Sequence, residues 1–292
     1  MRTRFRLLAG AVLIALMTAA PALVASPASA TTPLFSQRIV TESVWLTGMQ
    51  HRHAFPMCAP DEVVTGGGFH VDANTDLGAY TVYINQPMNN GWNVQMYFDP
   101  VGETAKLTAY AICLKKLVGA PLTTRTVSLR FDAPGNTTTT INPQCAKDEY
   151  ATGGGHRVMS INTTAYKVYA SEPMGNGWGV KIISHHQPDV ESWGYVVCLK
   201  IPDDVPVSYR VAMGFGQALG PGMAGAVSHC DYRTELVAGG GFVVSNLTTH
   251  AYAMVGSEPA PIAWTTVIFN RGGPVSSIPI RSVAVCLGNT LP

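Results

Sequence analysis

Three glutamates, three glycine triplets and three tryptophans are the residues of this chain whose types and spacing invite a chemical reading. Glu62, Glu149 and Glu235 each stand four residues before a triplet: Gly66-Gly67-Gly68, Gly153-Gly154-Gly155 and Gly239-Gly240-Gly241. A carboxylate near a run of backbone amides offers a general acid or an anion cradle. Phosphate loops, however, lead into a helix and carry Lys-Ser/Thr, whereas Phe69-His70-Val71 and Phe242-Val243-Val244 continue as strands. Glycine within a strand marks a bulge or a place where another backbone or a ring packs close. Trp92, Trp178 and Trp264 are the natural candidates for that ring. An active site is normally one place per chain, so a carboxylate present in every copy points to a shared structural need, such as accepting turn amides. No catalytic residue is assigned, and nothing implies a cofactor.

Other side chains suit binding. Tyr83 and Tyr169 face away from Tyr80 and Tyr166 by strand parity, and they lie near Asn89, Asn90 and Asn176 in sequence. Together they form an aromatic-plus-amide set suited to sugar hydroxyls, and the third copy replaces it with Val255 and Pro261-Ile262. The histidine clusters His51-Arg52-His53 and His185-His186 recur in no other repeat and fall short of the three or four ligands a zinc site needs, so no metal is expected. His156 stands where Phe69 and Phe242 stand, which implies packing. There is no Gly-x-Ser-x-Gly elbow.

These residues belong to a stretch that occurs three times. The tyrosines Tyr80, Tyr166 and Tyr252 each precede a proline by 7 residues, each proline precedes a tryptophan by 5, and Pro87, Pro173 and Pro259 recur every 86. So many matched offsets mark an internal triplication. Two cysteines bracket each copy, and the triplication selects the pairing Cys58–Cys113, Cys145–Cys198 and Cys230–Cys286. Closing a loop of about 55 residues stabilises each unit by roughly 4 kcal/mol in the chain-entropy model.

The elements that position these residues are strands. Trp92, Val94, Met96 and Phe98 share one parity, and Asn93, Gln95 and Tyr97 the other. Asn90-Gly91 and Asn176-Gly177 fit two-residue hairpin turns. Each repeat of about 85 residues reads as a leading strand, a Gly/Thr/Asn-rich connection, and a Cys-to-Cys core of about four strands. The expected organisation is a signal peptide over 1–30, then β repeats at 31–117, 118–203 and 204–292. The fold class is all-β, with the repeats packed in pseudo-threefold, β-prism-like symmetry; the alternative is three tandem small β-sandwich modules.

The pattern of Cys, Glu before Gly-Gly-Gly, Pro, Gly-Trp and Tyr-Ala-x-Cys resembles a tandem repeat of secreted, often actinobacterial, proteins without established activity. It is more distantly similar to the egg vitelline membrane outer layer proteins, threefold β-prisms whose repeats also open on Cys…Gly-Phe and close on Cys. That family's Trp-Gly and Asp-Asp-Thr-Ala signatures are absent, so the similarity implies geometry alone. Neither resemblance supplies site residues.

Arg2, Arg4 and Arg6, an apolar run from Leu7 to Val24 and the small-residue site Ala28-Ser29-Ala30 read as a secretion signal cleaved near Ala30. The 19 basic residues less these three leave 16 against 18 acidic ones, a net −2. That balance excludes the electrostatic footprint of a nucleic-acid binder or a polybasic membrane anchor. The expectation is an extracellular, non-catalytic protein that binds a glycan such as cell-wall polysaccharide. The alternative is a protein-interaction module, such as a protease inhibitor or envelope component, presenting Asp132 to Asn142 or Gly216 to Val227.

Overall fold

The computed structural model describes residues 33–73, 80–100, 103–160, 166–185, 189–203, 205–245, 252–272 and 277–288. The signal segment with its cleavage point at Ala30, and Ala79, Ala165, Ala251, Asn162, Asn246 and His186, lie outside the described residues. The two-residue alternation of the sequence becomes strand throughout. The first repeat supplies β1 (Phe35–Thr47), β2 (Gln50–Ala54), β3 (Val63–Ala73), β4 (Tyr80–Met88), β5 (Gly91–Phe98) and β6 (Thr104–Lys116). The second supplies β7 (Thr123–Ala133), β8 (Thr138–Ile141), β9 (Tyr150–Val158), β10 (Tyr166–Met174), β11 (Gly177–Ser184) and β12 (Val190–Lys200). The third supplies β13 (Tyr209–Ala218), β14 (Gly222–His229), β15 (Glu235–Val244), β16 (Tyr252–Ala260), β17 (Ala263–Asn270) and β18 (Ile278–Gly288).

Each repeat therefore has six strands, one more than the sequence pattern implies. The additional ones are β2, β8 and β14, which occupy the expected connection. They are sheet-edge strands pairing with β5, β11 and β17. A sequence such as Gln50-His51-Arg52-His53-Ala54 buries little more than its last residue, so it carries no apolar alternation to read. The same strands occupy part of the segments proposed as protein-binding loops.

The three sheets are antiparallel and composite. One runs β1-β6-β3-β16-β17-β14, the next β13-β18-β15-β10-β11-β8, and the third β2-β5-β4-β9-β12-β7. Each takes three strands from one repeat and three from another. The repeats thus share their sheets around a pseudo-threefold axis, and three separate modules are excluded. The seams are narrow: Ile84↔Arg157 and Asn85↔His156 in one, Ala170↔Val243 and Ser171↔Phe242 in the second, Gly256↔His70 and Ser257↔Phe69 in the third.

The glycine triplets explain how three sheets approach one axis. A Cβ on Gly66 would lie 2.7 Å from the Gly239 Cα, and one on Gly153 2.7 Å from the Gly66 Cα, so the first glycines meet one another. A Cβ on Gly67, Gly154 or Gly240 would sit 2.2–2.3 Å from the indole of Trp92, Trp178 or Trp264. A Cβ on Gly68, Gly155 or Gly241 would be 1.8–1.9 Å from the carbonyl of Ser257, Asn85 or Ser171 across a seam. Those same residues fix the tryptophans. The indole N–H donates to Asn85 Oδ1 at 2.7 Å, Ser171 Oγ at 2.9 Å and Ser257 Oγ at 2.9 Å. All three rings are fully buried, each contributing roughly 5 kcal/mol of apolar transfer as an upper bound.

The disulfides are Cys58–Cys113, Cys145–Cys198 and Cys230–Cys286, with Cα–Cα distances of 5.5, 5.5 and 5.6 Å. They suit an oxidising environment. Among the described residues no helix is long and apolar enough to cross a membrane.

Candidate functional site

The three glutamates are clasps. Glu62 accepts from the Ala59 amide at 2.9 Å, Glu149 from Ala146 at 2.8 Å and Glu235 from Asp231 at 2.8 Å. Each also receives a forked guanidinium from its leading strand: Arg38, Arg125 and Arg210, with Nε contacts of 3.0, 2.6 and 3.0 Å. The arginine beside each carboxylate holds it below the usual glutamate range. Each carboxylate lies near its disulfide, with oxygen and both sulfurs within 4.8 Å of one another. Because the sulfurs are bonded to each other, that trio is a tether and not a metal seat.

The hairpin asparagines are used similarly. Asn90 Oδ1 accepts from the Val64 amide at 3.0 Å while its Nδ2 donates to the carbonyls of Ala59 and Glu62 at 3.1 and 2.9 Å. Asn176 Nδ2 donates to the Ala146 carbonyl at 2.7 Å. The turn residues are Asn89-Asn90 and Gly175-Asn176, with positive φ of 52° at Asn89 and 62° at Gly175. The turn therefore sits one residue earlier than the Asn-Gly dipeptides predict. Gly91 and Gly177 are required instead because a Cβ there would strike the Pro56 and Pro143 carbonyls at 2.6 and 2.3 Å.

The predicted tyrosine–asparagine set does not assemble. Tyr83 stands six strand residues from Asn89, roughly 20 Å along β4. It falls at a register shift between Val82 and Ile84, and Tyr169 falls at its counterpart between Val168 and Ala170. A bulge of this kind resets the inside–outside alternation. Tyr169 is consequently buried, and Tyr83 is half-buried, donating to Gln95 Oε1 at 3.0 Å and packing edge-on against His51.

A different place gathers chemistry. One residue beyond the glycine triplets, where the third and fourth strands of neighbouring repeats pair over only two positions, lies a cavity of about 280 Å³. Each repeat lines it with homologous positions: Phe69, Tyr80, Thr81 and Val82; His156, Tyr166, Lys167 and Val168; Phe242, Tyr252, Ala253 and Met254. Arg271 completes it at an exposed position following β17. The wall is largely aromatic and aliphatic, and its described residues include two cations and no carboxylate.

The three copies match at the tyrosines and differ at the polar positions. His156 replaces Phe69 and Phe242; Lys167 replaces Thr81 and Ala253; Arg271 replaces Asp99 and His185. Lys167 Nζ donates to the Tyr252 carbonyl at 2.9 Å and lies 3.2 Å from the centroid of the Tyr252 ring. Burial, with Arg271 as a second positive charge, pulls its ammonium down to about 7. His156 Nε2 lies 3.4 Å from the Val82 carbonyl, so the proton belongs there and Nδ1 is bare. Burial lowers this imidazole to about 4, which keeps it neutral at pH 7. Tyr80 Oη donates to the Met254 carbonyl at 2.7 Å, whereas Tyr166 Oη, Tyr252 Oη and His156 Nδ1 are buried without a hydrogen-bond partner. The tyrosine phenols are pushed far above their ordinary value by burial.

His156 is visible in the sequence as the odd residue after a triplet. Lys167 and Arg271 carry the same signal, a repeat position whose charge differs from its two counterparts, but only the fold shows that the three share one cavity. No protein-family model and no curated protein matches this chain.

Proposed function

We propose that this is a secreted, non-catalytic binding protein whose ligand seat is the axial cavity. The observation that carries the reading is the location of the broken symmetry: the wall of one cavity, open to solvent on one side, holds His156, Lys167 and Arg271 where the other repeats differ. A purely structural axis has no need of a lysine among aromatic rings, because burying an ammonium is unfavourable. At about 280 Å³ the space is at the small end of ligand pockets, which span roughly 300–1,000 Å³. It suits a single ring. A polysaccharide partner would accordingly be engaged through a terminal residue and not along its length, as an exposed tyrosine–asparagine surface would do.

The reading is tested with isotope-labelled, oxidised protein and a cocktail of single-ring compounds, monitored by amide and aromatic chemical shifts. Shifts concentrated at Tyr80, Tyr166, Tyr252 and their neighbours, and abolished by Ala253→Trp, support it. Shifts scattered over the outer sheet faces, or persisting in Ala253→Trp, overturn it. Retention on chitin, cellulose and peptidoglycan, competed by the matching monosaccharide, separates a chain-end ligand from a free one.

A further inference from the structure

We infer that the third repeat carries a homodimer face: the outer surface of β13 and β14 docks against the same surface of a second copy. The inference is independent of the cavity. It assigns an occupant to the segment Gly216 to Val227, one of the two that the sequence marks for protein contact.

The face exists because two sheets meet there. β13 is the edge strand of one sheet and β14 the edge strand of another. Gly214 and Gly216 allow their backbones to touch: a Cβ on Gly214 would lie 1.8 Å from the Val227 carbonyl oxygen, and one on Gly216 2.1 Å from that of Gly225. By register against the last strand of each repeat, Glu42 and Leu129 stand where Gly214 does, and Val44 and Phe131 where Gly216 does. The glycine pair is thus peculiar to the third repeat. With the glycines turned to β14, the alternate residues Met213 and Phe215 turn to solvent. Met223 and Val227 do so on β14 and Leu219 in the connection between, and all five are between 44 and 76% exposed.

The composition of the face fixes the kind of partner. The positions matching Met213 are Thr41 and Ser128, those matching Phe215 are Ser43 and Arg130, and those matching Met223 are His51 and Thr138. The apolar residues are therefore no requirement of the fold, which accepts polar ones in both other repeats. Residues 211–228 contain no Asp, Glu, Lys, Arg or His, so recognition does not run on charge. At roughly 200 Å² per large side chain, the five present about 600 Å² of apolar area, the upper end for the largest patch of a monomer. Two such faces together come to about 1,200 Å², where specific protein interfaces begin. An uncharged apolar face is complementary to itself, which is the condition for a two-fold contact, and homodimer interfaces are more apolar than transient ones. Because the matching positions of the other two repeats are polar, the contact closes at two copies and does not propagate.

Sedimentation velocity of the oxidised protein, from micromolar to about 0.5 mM, tests the pairing. A reversible monomer–dimer equilibrium with a Kd on the order of 10 μM is expected for an interface of this size, and added sodium chloride does not weaken it. Phe215→Ser, which installs the residue type found at Ser43, weakens the dimer about tenfold. Phe215→Arg, matching Arg130 of the second repeat, leaves only monomer, because pairing would bury an unpaired charge. Position 215 is exposed, so thermal unfolding of the dilute monomer stays unchanged in both variants, which shows that the loss reflects the face and not the fold. A monomer at every concentration, or a dimer indifferent to Phe215→Arg, overturns the inference. So does a monomer that binds phosphatidylcholine vesicles through Phe215, which would make the face a lipid contact.

Discussion

The glycine triplets and the cavity are neighbours on the same axis, yet the three repeats treat them oppositely. At the triplets all nine positions are glycine. One residue further on, the repeats place phenylalanine, histidine and phenylalanine, and beyond the tyrosines they place threonine, lysine and alanine. The difference has a steric origin. Where backbones and indoles approach to within the space of one methyl group, no side chain is tolerated. Where the strands diverge, the constraint lapses and each repeat is free to carry its own chemistry. Uniformity around a pseudo-symmetry axis therefore marks packing, and divergence beside it marks the place to look for a ligand.

The sharpest way to break the uniform region is Gly68→Ala. Its methyl would meet the Ser257 carbonyl at 1.9 Å on a seam between repeats, so neither side chain rotation nor a local shift relieves it. A loss exceeding about 4 kcal/mol is expected, a large share of the roughly 5–15 kcal/mol available to a folded domain. Denaturant titration, or failure to recover folded protein, reports it; near-wild-type stability would undo the packing account. Removing one tether, as in Cys58→Ser with Cys113→Ser, comes next at about 4 kcal/mol, read from the denaturation midpoint under oxidising conditions.

His156→Phe sharpens the contrast from the other side by restoring the threefold pattern. The buried imidazole has a folded value of about 4 against an ordinary 6.5. Its neutral form is favoured by the fold, so its contribution is complete above pH 6.5 and is lost as the pH falls towards 4. The amplitude is roughly 3 kcal/mol. Stability measured from pH 7 to 4 should decline less steeply in His156→Phe than in the wild type; parallel curves would show that this histidine is not buried neutral.

The smallest expected effect concerns a seam where the repeats also differ. His70 Nδ1 lies 3.2 Å from Glu258 Oε1 and its Nε2 3.1 Å from Asp72 Oδ1, and Tyr110 also bonds the Glu258 carboxylate. The hydrogen bond to Glu258, with Asp72 assisting, raises the imidazole above its ordinary value. This stabilisation is present below pH 6.5 and disappears as pH rises through the raised folded value, opposite in sense to His156. Followed by ring-proton chemical shift, the titration midpoint of His156 should lie below 6.5 and that of His70 above it, and Glu258→Gln should return His70 towards 6.5.

Much of the architecture is legible without coordinates. Matching offsets identify three repeats, the bracketing cysteines dictate their pairing, and alternation around Trp92 and its counterparts gives strand type and buried face. All of these are relations within one repeat, and a periodicity of two or a shared cysteine spacing survives in one dimension. The purpose of the glycines was legible in outline, as close approach, because glycine in a strand has few other reasons to recur.

The tertiary structure alone decided which repeats share a sheet, since hydrogen bonding between β4 and β9 or β16 and β3 leaves no periodic mark on either segment. It decided the bulges at Tyr83 and Tyr169, which turn residues expected at the surface towards the interior and separate them from the hairpin asparagines. Above all it decided that His156, Lys167 and Arg271, widely spaced in the chain, line one space. Their proximity arises from three-dimensional packing around an axis, a relation between repeats that no pattern within one of them records.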